Sequence, residues 1–224
     1  MKRRTLDLAF SVGGLLFGGL ILVLGLVLQN QANFAENYVK EQFGQQKIEF
    51  TAVDYLHGEQ DDAPCLVEFA GTLLDSGKKA ECYANEYIAF HLASGATEAG
   101  YEGATYATIG GVQRGIAADL QAAKDAGKDT TELDASLTSV NTLRETMFKG
   151  ETLRGLLLTT YGFSIFGDRA ALAAMICFIG AALLMVLSLA GLVHFKMILN
   201  GLDRLVTEQM GASIPKEFVV IIPC

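Results

Sequence analysis

Two stretches of the chain lack the mixing of apolar and polar positions that marks a soluble helix or strand. Residues 8–28 carry no charge, and only Ser11 and a set of glycines interrupt the apolar run. At 21 residues, this run matches the roughly 20 that a helix needs to cross about 30 Å of hydrocarbon. Residues 170–193 form a second charge-free run, 24 residues long. A buried helix of a soluble protein seldom runs so far without a charge, so both are expected to be transmembrane helices.

Between these runs the pattern is amphipathic. Phe34, Tyr38, Val39 and Phe43 fall at helical spacing among polar residues, predicting that the first span continues outward as a stalk over residues 30–47. Residues 48–53 alternate and predict a short extended piece, followed by loop over 58–64. A helix is expected over 63–74, with Asp62 as N-cap and Pro64 at its first position. A second is expected over 78–93, with Ala80, Tyr83, Ala84, Tyr87, Ile88 and His91 along one face. Residues 95–103 predict a connector. Residues 105–126 predict a helix with Ile109, Val112, Ile116, Leu120 and Ala123 inward, stopped by Gly127. The last helix is expected over 131–149, opened by Thr131 with Asp134 in a weakened capping box and interrupted by Gly150.

Residues 151–169 then form an apolar, glycine-punctuated approach to the second run. Arg154, Tyr161, Phe163 and Phe166 give it the aromatic and cationic character of a segment at the outer headgroups. Beyond Val193, residues 195–210 predict an amphipathic helix and 218–222 an apolar extended piece. These 30 or so residues are too few for an independent core.

Charge sets the expected orientation. Lys2, Arg3 and Arg4 precede the first run, and His194 and Lys196 follow the second. A cleaved signal peptide would share the basic start, but its apolar core is about 7–15 residues, and residues 29–35 offer no small-x-small cleavage site. The positive-inside rule then places residues 1–7 and the tail 194–224 in the cytoplasm and residues 29–169 outside. This outer segment holds 11 Lys plus Arg against 21 Asp plus Glu, a balance that argues against a nucleic-acid partner. The expected class is therefore an all-α, multi-pass protein of the cell membrane, with an extracytoplasmic bundle of about four helices between two spans.

Cys65 and Cys82 both lie in the outer segment. In an oxidising compartment they are expected to bridge, restricting the unfolded chain by about 3 kcal/mol; two free buried thiols are the alternative. Cys177 lies inside the second span as a small packing residue, and Cys224 has no assigned role.

Candidate chemistry is sparse. His91 could be drawn with Glu86 and Cys82 as a ligand set, but their offsets do not share one tight helix face. The sequence holds no GxSxG, P-loop, HExxH or dinucleotide fingerprint. Gly110-Gly111 lacks a phosphate loop around it, and the acidic residues 59–62 lack the alternating ligand pattern of a calcium loop. No cofactor or metal is expected, and no charge within the spans marks a transport path. Small residues carry more information. Ser11, Gly14, Gly18 and Gly25 share one side of the first span, with Gly14 and Gly18 forming a GxxxG. Ala173, Cys177, Gly180, Ala181, Ser188 and Gly191 give the second span a comparable face. These faces can pack on each other or receive a partner helix, from another membrane subunit or a second copy.

Several segments resemble a known group. The basic first span, Asn33-Phe34-Ala35, Tyr38-Val39 and Tyr83-Ala84-Asn85-Glu86-Tyr87-Ile88-Ala89-Phe90-His91-Leu92 carry the likeness. So do Gly150-Glu151-Thr152-Leu153-Arg154-Gly155-Leu156-Leu157-Leu158 and Tyr161-Gly162-Phe163. Over residues 1–195 the chain resembles uncharacterised two-span membrane proteins of actinobacteria. The resemblance implies an extracytoplasmic helical domain and no established activity. Some members are labelled aromatic ring-opening dioxygenases, but a nonhaem iron site needs a His/carboxylate set, and the loop offers only His57 and His91. The expected function is a non-catalytic accessory or scaffold subunit of a membrane assembly; the alternative is an extracytoplasmic ligand-sensing or binding module coupled to a separate partner.

Overall fold

The computed structural model describes residues 3–57, 60 and 62–212. The end of the tail, with residues 218–222 and Cys224, and residues 59 and 61 of the acidic stretch lie outside the described residues. Helix α1 covers Arg3–Gln46, α2 Pro64–Phe69, α3 Gly77–Cys82, α4 Ala89–Glu98, α5 Tyr106–Asp125 and α6 Thr131–Ala212. A 3-10 turn, Val53–Tyr55, precedes α2, and a π turn, Tyr83–Ile88, joins α3 to α4. Among the described residues no strand occurs, only an antiparallel bridge between Glu49 and Leu73.

The chain divides into two compact units, Met1–Asn30 with Ala170–Cys224, and Gln31–Arg169. The first unit contains the apolar parts of α1 and α6, both long and apolar enough to cross a membrane. Its packing inverts that of a soluble protein. Ser11, Ala174, Ala181 and Ser188 are buried, while large side chains such as Phe10 (77% exposed) and Leu187 (68%) point outward. Hydrocarbon solvent imposes no penalty on exposed Leu or Phe, so helices associate there by close approach of small residues.

The second unit has two clusters of buried side chains. In the larger, Val39 and Phe43 of α1 meet Phe50, Leu66, Leu74, Ala80, Ala84 and Leu157. The smaller joins Ala96 of α4, Ile109 of α5, and Val140, Leu143 and Met147 of α6. The expected extended piece is present only in part: Phe50 N–H donates to the Thr72 carbonyl at 2.9 Å and Leu74 N–H to the Ile48 carbonyl at 2.8 Å, while Val53 already opens the 3-10 turn.

Several expectations are corrected. Ala32, Ala35, Val39 and Phe43 form the buried stripe of α1 in this unit, whereas Phe34 and Tyr38 are 55% and 49% exposed. Helix α2 stops at Phe69, well before residue 74, because Gly71 takes a left-handed φ of 66° and turns the chain into the bridge. Its N-cap is Ala63, not Asp62, although Pro64 does open it. Ser76 caps α3, accepting from Lys79 N–H at 3.3 Å. Helix α4 runs on to Glu98, shortening the expected connector. Asp129 takes over the cap expected of Thr131: its Oδ1 accepts from both the backbone N–H and the hydroxyl of Thr131. These bonds hold its carboxyl below the usual range.

Gly150 does not interrupt α6. A Cβ there would lie 2.5 Å from Leu92 Cδ2, so Gly150 serves close approach of α4 rather than helix termination. The loss of helix propensity, about 1 kcal/mol relative to Ala, is offset by that contact. Residues 151–169 and 195–210 are likewise helical parts of α6.

Candidate functional site

Within the first unit the small faces pack on each other. Gly14 lies against Ser188, and Gly191 against Ser11. Cβ atoms added at Gly18 and Gly25 would fall 3.2 Å from Met185 Cγ and 2.8 Å from Phe178 Cε1. Residue numbers therefore fall on α6 as they rise on α1, which makes the pair an antiparallel hairpin. The Ala181 carbonyl is 3.5 Å from the Gly18 position, and Cys177 Cβ is 3.2 Å from the Gly25 position. All six expected packing residues are partly or fully buried here: Gly18, Gly25 and Ala181 are buried, Gly14, Ala173 and Cys177 half-buried, and Ala174, beside Ala173, is fully buried. The residue missed was Ala174, which completes a seven-residue repeat with Ala181 and Ser188 that matches Ser11, Gly18 and Gly25 on α1. Such a repeat keeps one seam facing a partner helix.

Not every glycine is used. Gly13, Gly19 and Gly180 have nothing within 4 Å of an added Cβ. Gly13 lines an open lateral groove of about 450 Å³, with Phe10, Phe17, Leu184 and Leu187 around it and Ser11, Gly14 and Ser188 of the seam at its floor.

In the second unit, Cys65 of α2 and Cys82 of α3 form a disulfide across 17 residues. A ladder of rings runs beside it. Phe50 meets Phe69 at 5.7 Å and Tyr83 at 5.3 Å; Tyr83 stacks on Tyr87 at 4.6 Å, and Tyr87 on His91 at 4.4 Å. Burial, then the neighbouring Tyr87, pushes the Tyr83 hydroxyl up from 10.0 to about 12. The π turn that carries Tyr83 and Tyr87 holds its Ala84 carbonyl under Arg154, whose Nε donates to it at 3.0 Å. Arg154 Nη1 also pairs with Glu151 at 3.0 Å.

His91 is exposed, contrary to a core position. Its Nδ1 donates to the Tyr87 carbonyl at 2.8 Å, fixing the ring along its own helix. Neither Glu86 nor Cys82 joins it, Cys82 being in the disulfide, and no group of three metal-ligating side chains occurs among the described residues. Of the residues expected at the headgroups, Arg154 is turned inward to Ala84, while Tyr161 is half-buried. The Tyr161 hydroxyl is pushed up first by the Glu81 carboxylate. Phe163 and Phe166 are 40% and 76% exposed, and Phe163 meets Tyr38 edge-on at 6.5 Å.

The chain matches no family model, no curated protein and no solved structure in the comparisons made.

Proposed function

We propose that this chain is a non-catalytic accessory or scaffold subunit of a larger membrane assembly. In this reading residues 8–28 and 170–193 lie in the bilayer, both termini face the cytoplasm and residues 29–169 form a helical domain outside. The Cys65–Cys82 bridge supports an oxidising location for that domain. Phe34, Tyr38, Phe163 and Phe166, exposed beside the charge-free runs in sequence, suit an aromatic belt at the outer headgroups.

The observation that carries the reading is the division of the glycines. Gly14, Gly18 and Gly25 face α6 within the hairpin, with Gly14 also at the floor of the lateral groove, whereas Gly13 and Gly19 have open space and Gly13 lines that groove. A glycine turned to lipid contributes no packing, but the same glycine lets another helix approach closely. The groove between Phe10, Phe17 and Leu187 thus fits a helix of a companion subunit.

Tagged purification from native membranes in mild detergent, with mass spectrometry of what co-migrates, tests this. A stoichiometric companion that Gly13→Leu releases is expected. A free monomer, unchanged by that substitution, contradicts the reading.

A further inference from the structure

The second unit is rich in carboxylates, and five of its cations are ion-paired with them: Lys78, Lys79, Lys124, Lys149 and Arg154. Of the six cations with no such partner among the described residues, Arg114 of α5 and Arg144 of α6 lie together. Arg114 Nη1 and Arg144 Nε are each 3.5 Å from the point a Cβ on Gly110 would occupy. Two guanidinium groups within roughly 7 Å of each other repel, and in a domain with 21 acidic residues to 11 basic ones neither has drawn in a carboxylate.

Arg144 is fixed in place. Its Nη1 donates to Gln113 Oε1 at 2.7 Å, and Gln113 Nε2 donates to Asn141 Oδ1 at 2.5 Å. Its guanidinium lies over the Tyr106 ring at 5.1 Å. Its Nε is buried with no hydrogen-bond partner, and Nη2 makes no hydrogen bond among the described residues. The exposed Arg114 side chain likewise makes no hydrogen bond among the described residues. A planar guanidinium held by packing loses little freedom when it binds an oxyanion.

We propose that Arg114 and Arg144, converging over Gly110, form a binding site for a phosphate group. Two positive charges match the −1.5 to −2 that a phosphate monoester carries near neutral pH, and charge-assisted Arg–phosphate bonds are strong in such sites. The phosphate belongs either to a soluble compound or to a lipid headgroup; the recognition chemistry is the same.

The test is calorimetric titration of the full-length protein in detergent with inorganic phosphate, against sodium chloride at matched ionic strength. Saturable binding is expected, weakened about tenfold or more in Arg114→Gln, which alters only an exposed side chain. Arg144→Lys should weaken it too, because it keeps the charge and loses the fork. Absence of saturable binding overturns the proposal, as does binding that Arg114→Gln leaves unchanged. Loss of phosphate binding in nanodiscs containing phosphatidic acid assigns the site to a headgroup, and persistence there assigns it to a soluble phosphate; both outcomes support the site.

Discussion

The ring of Phe178 lies directly over Gly25, with its Cε1 2.8 Å from the point that a Cβ on residue 25 would occupy. No larger residue fits there unless the aromatic ring moves. Together with Gly14 against Ser188 and Gly191 against Ser11, this contact defines a seam built on the absence of side chains. Such a seam suits a solvent that supplies no hydrophobic drive between helices.

Gly25→Leu should therefore destabilise the protein by about 1–3 kcal/mol, as overpacking does elsewhere. Thermal unfolding in detergent checks this, with Gly19→Leu as the comparison. Gly19 has nothing within 4 Å, so its melting temperature should stay close to wild type.

The Cys65–Cys82 bridge closes 17 residues, and Cys82→Ser should lower stability by about 3 kcal/mol. Reductant added to the wild-type protein should reproduce the shift in melting temperature. An unchanged melt under reductant would show that the bridge does not form.

Arg154→Met removes the donor over the Ala84 carbonyl and the pair with Glu151. Hydrogen bonds from charged groups contribute about 1.5–3 kcal/mol, so a loss in that range is expected. Protease sensitivity should rise near the π turn Tyr83–Ile88, and cleavage confined to other regions would contradict the account.

Tyr83 gives a pH dependence. Its hydroxyl is pushed from 10.0 to about 12, first by burial and then by Tyr87. Between those values the folded protein holds a proton that the unfolded chain has lost. The contribution is therefore fully present below about pH 10 and is lost as pH rises toward 12. Spectrophotometric titration should show late tyrosinate absorbance, to which Tyr161 also contributes, and Tyr83→Phe should remove the part that titrates near 12.

The two long apolar helices were legible in sequence because absence of charge over 20 or more residues is a one-dimensional signal. Gly127 was legible as the stop of α5, where its positive φ ends the helix, whereas Thr105, read as the first helical residue, proves to be the N-cap. Gly150 was not legible. A glycine that breaks a helix and one that admits Leu92 look identical until the neighbouring helix is placed. The stalk stripe failed similarly: Phe34 and Tyr38 outweighed Ala32 and Ala35 by hydrophobicity, yet close approach selected the alanines. The seam was read on both helices, from Gly14, Gly18 and Gly25 to Cys177, Ala181 and Ser188, except that half-buried Ala173 was chosen over the fully buried Ala174. The Arg114–Arg144 pair joins residues 30 apart in sequence, on two helices, and no local pattern announces it.

The central claim is that the hairpin uses one glycine face internally and offers the other to a companion. Photocrosslinking from single unnatural residues at positions 13 and 18, in native membranes, tests it most directly. The account predicts that the probe at 13 captures a second polypeptide in near-stoichiometric yield, while the probe at 18 reacts within the chain, with α6. Capture of lipid alone from position 13, or of a second polypeptide from position 18, would contradict it.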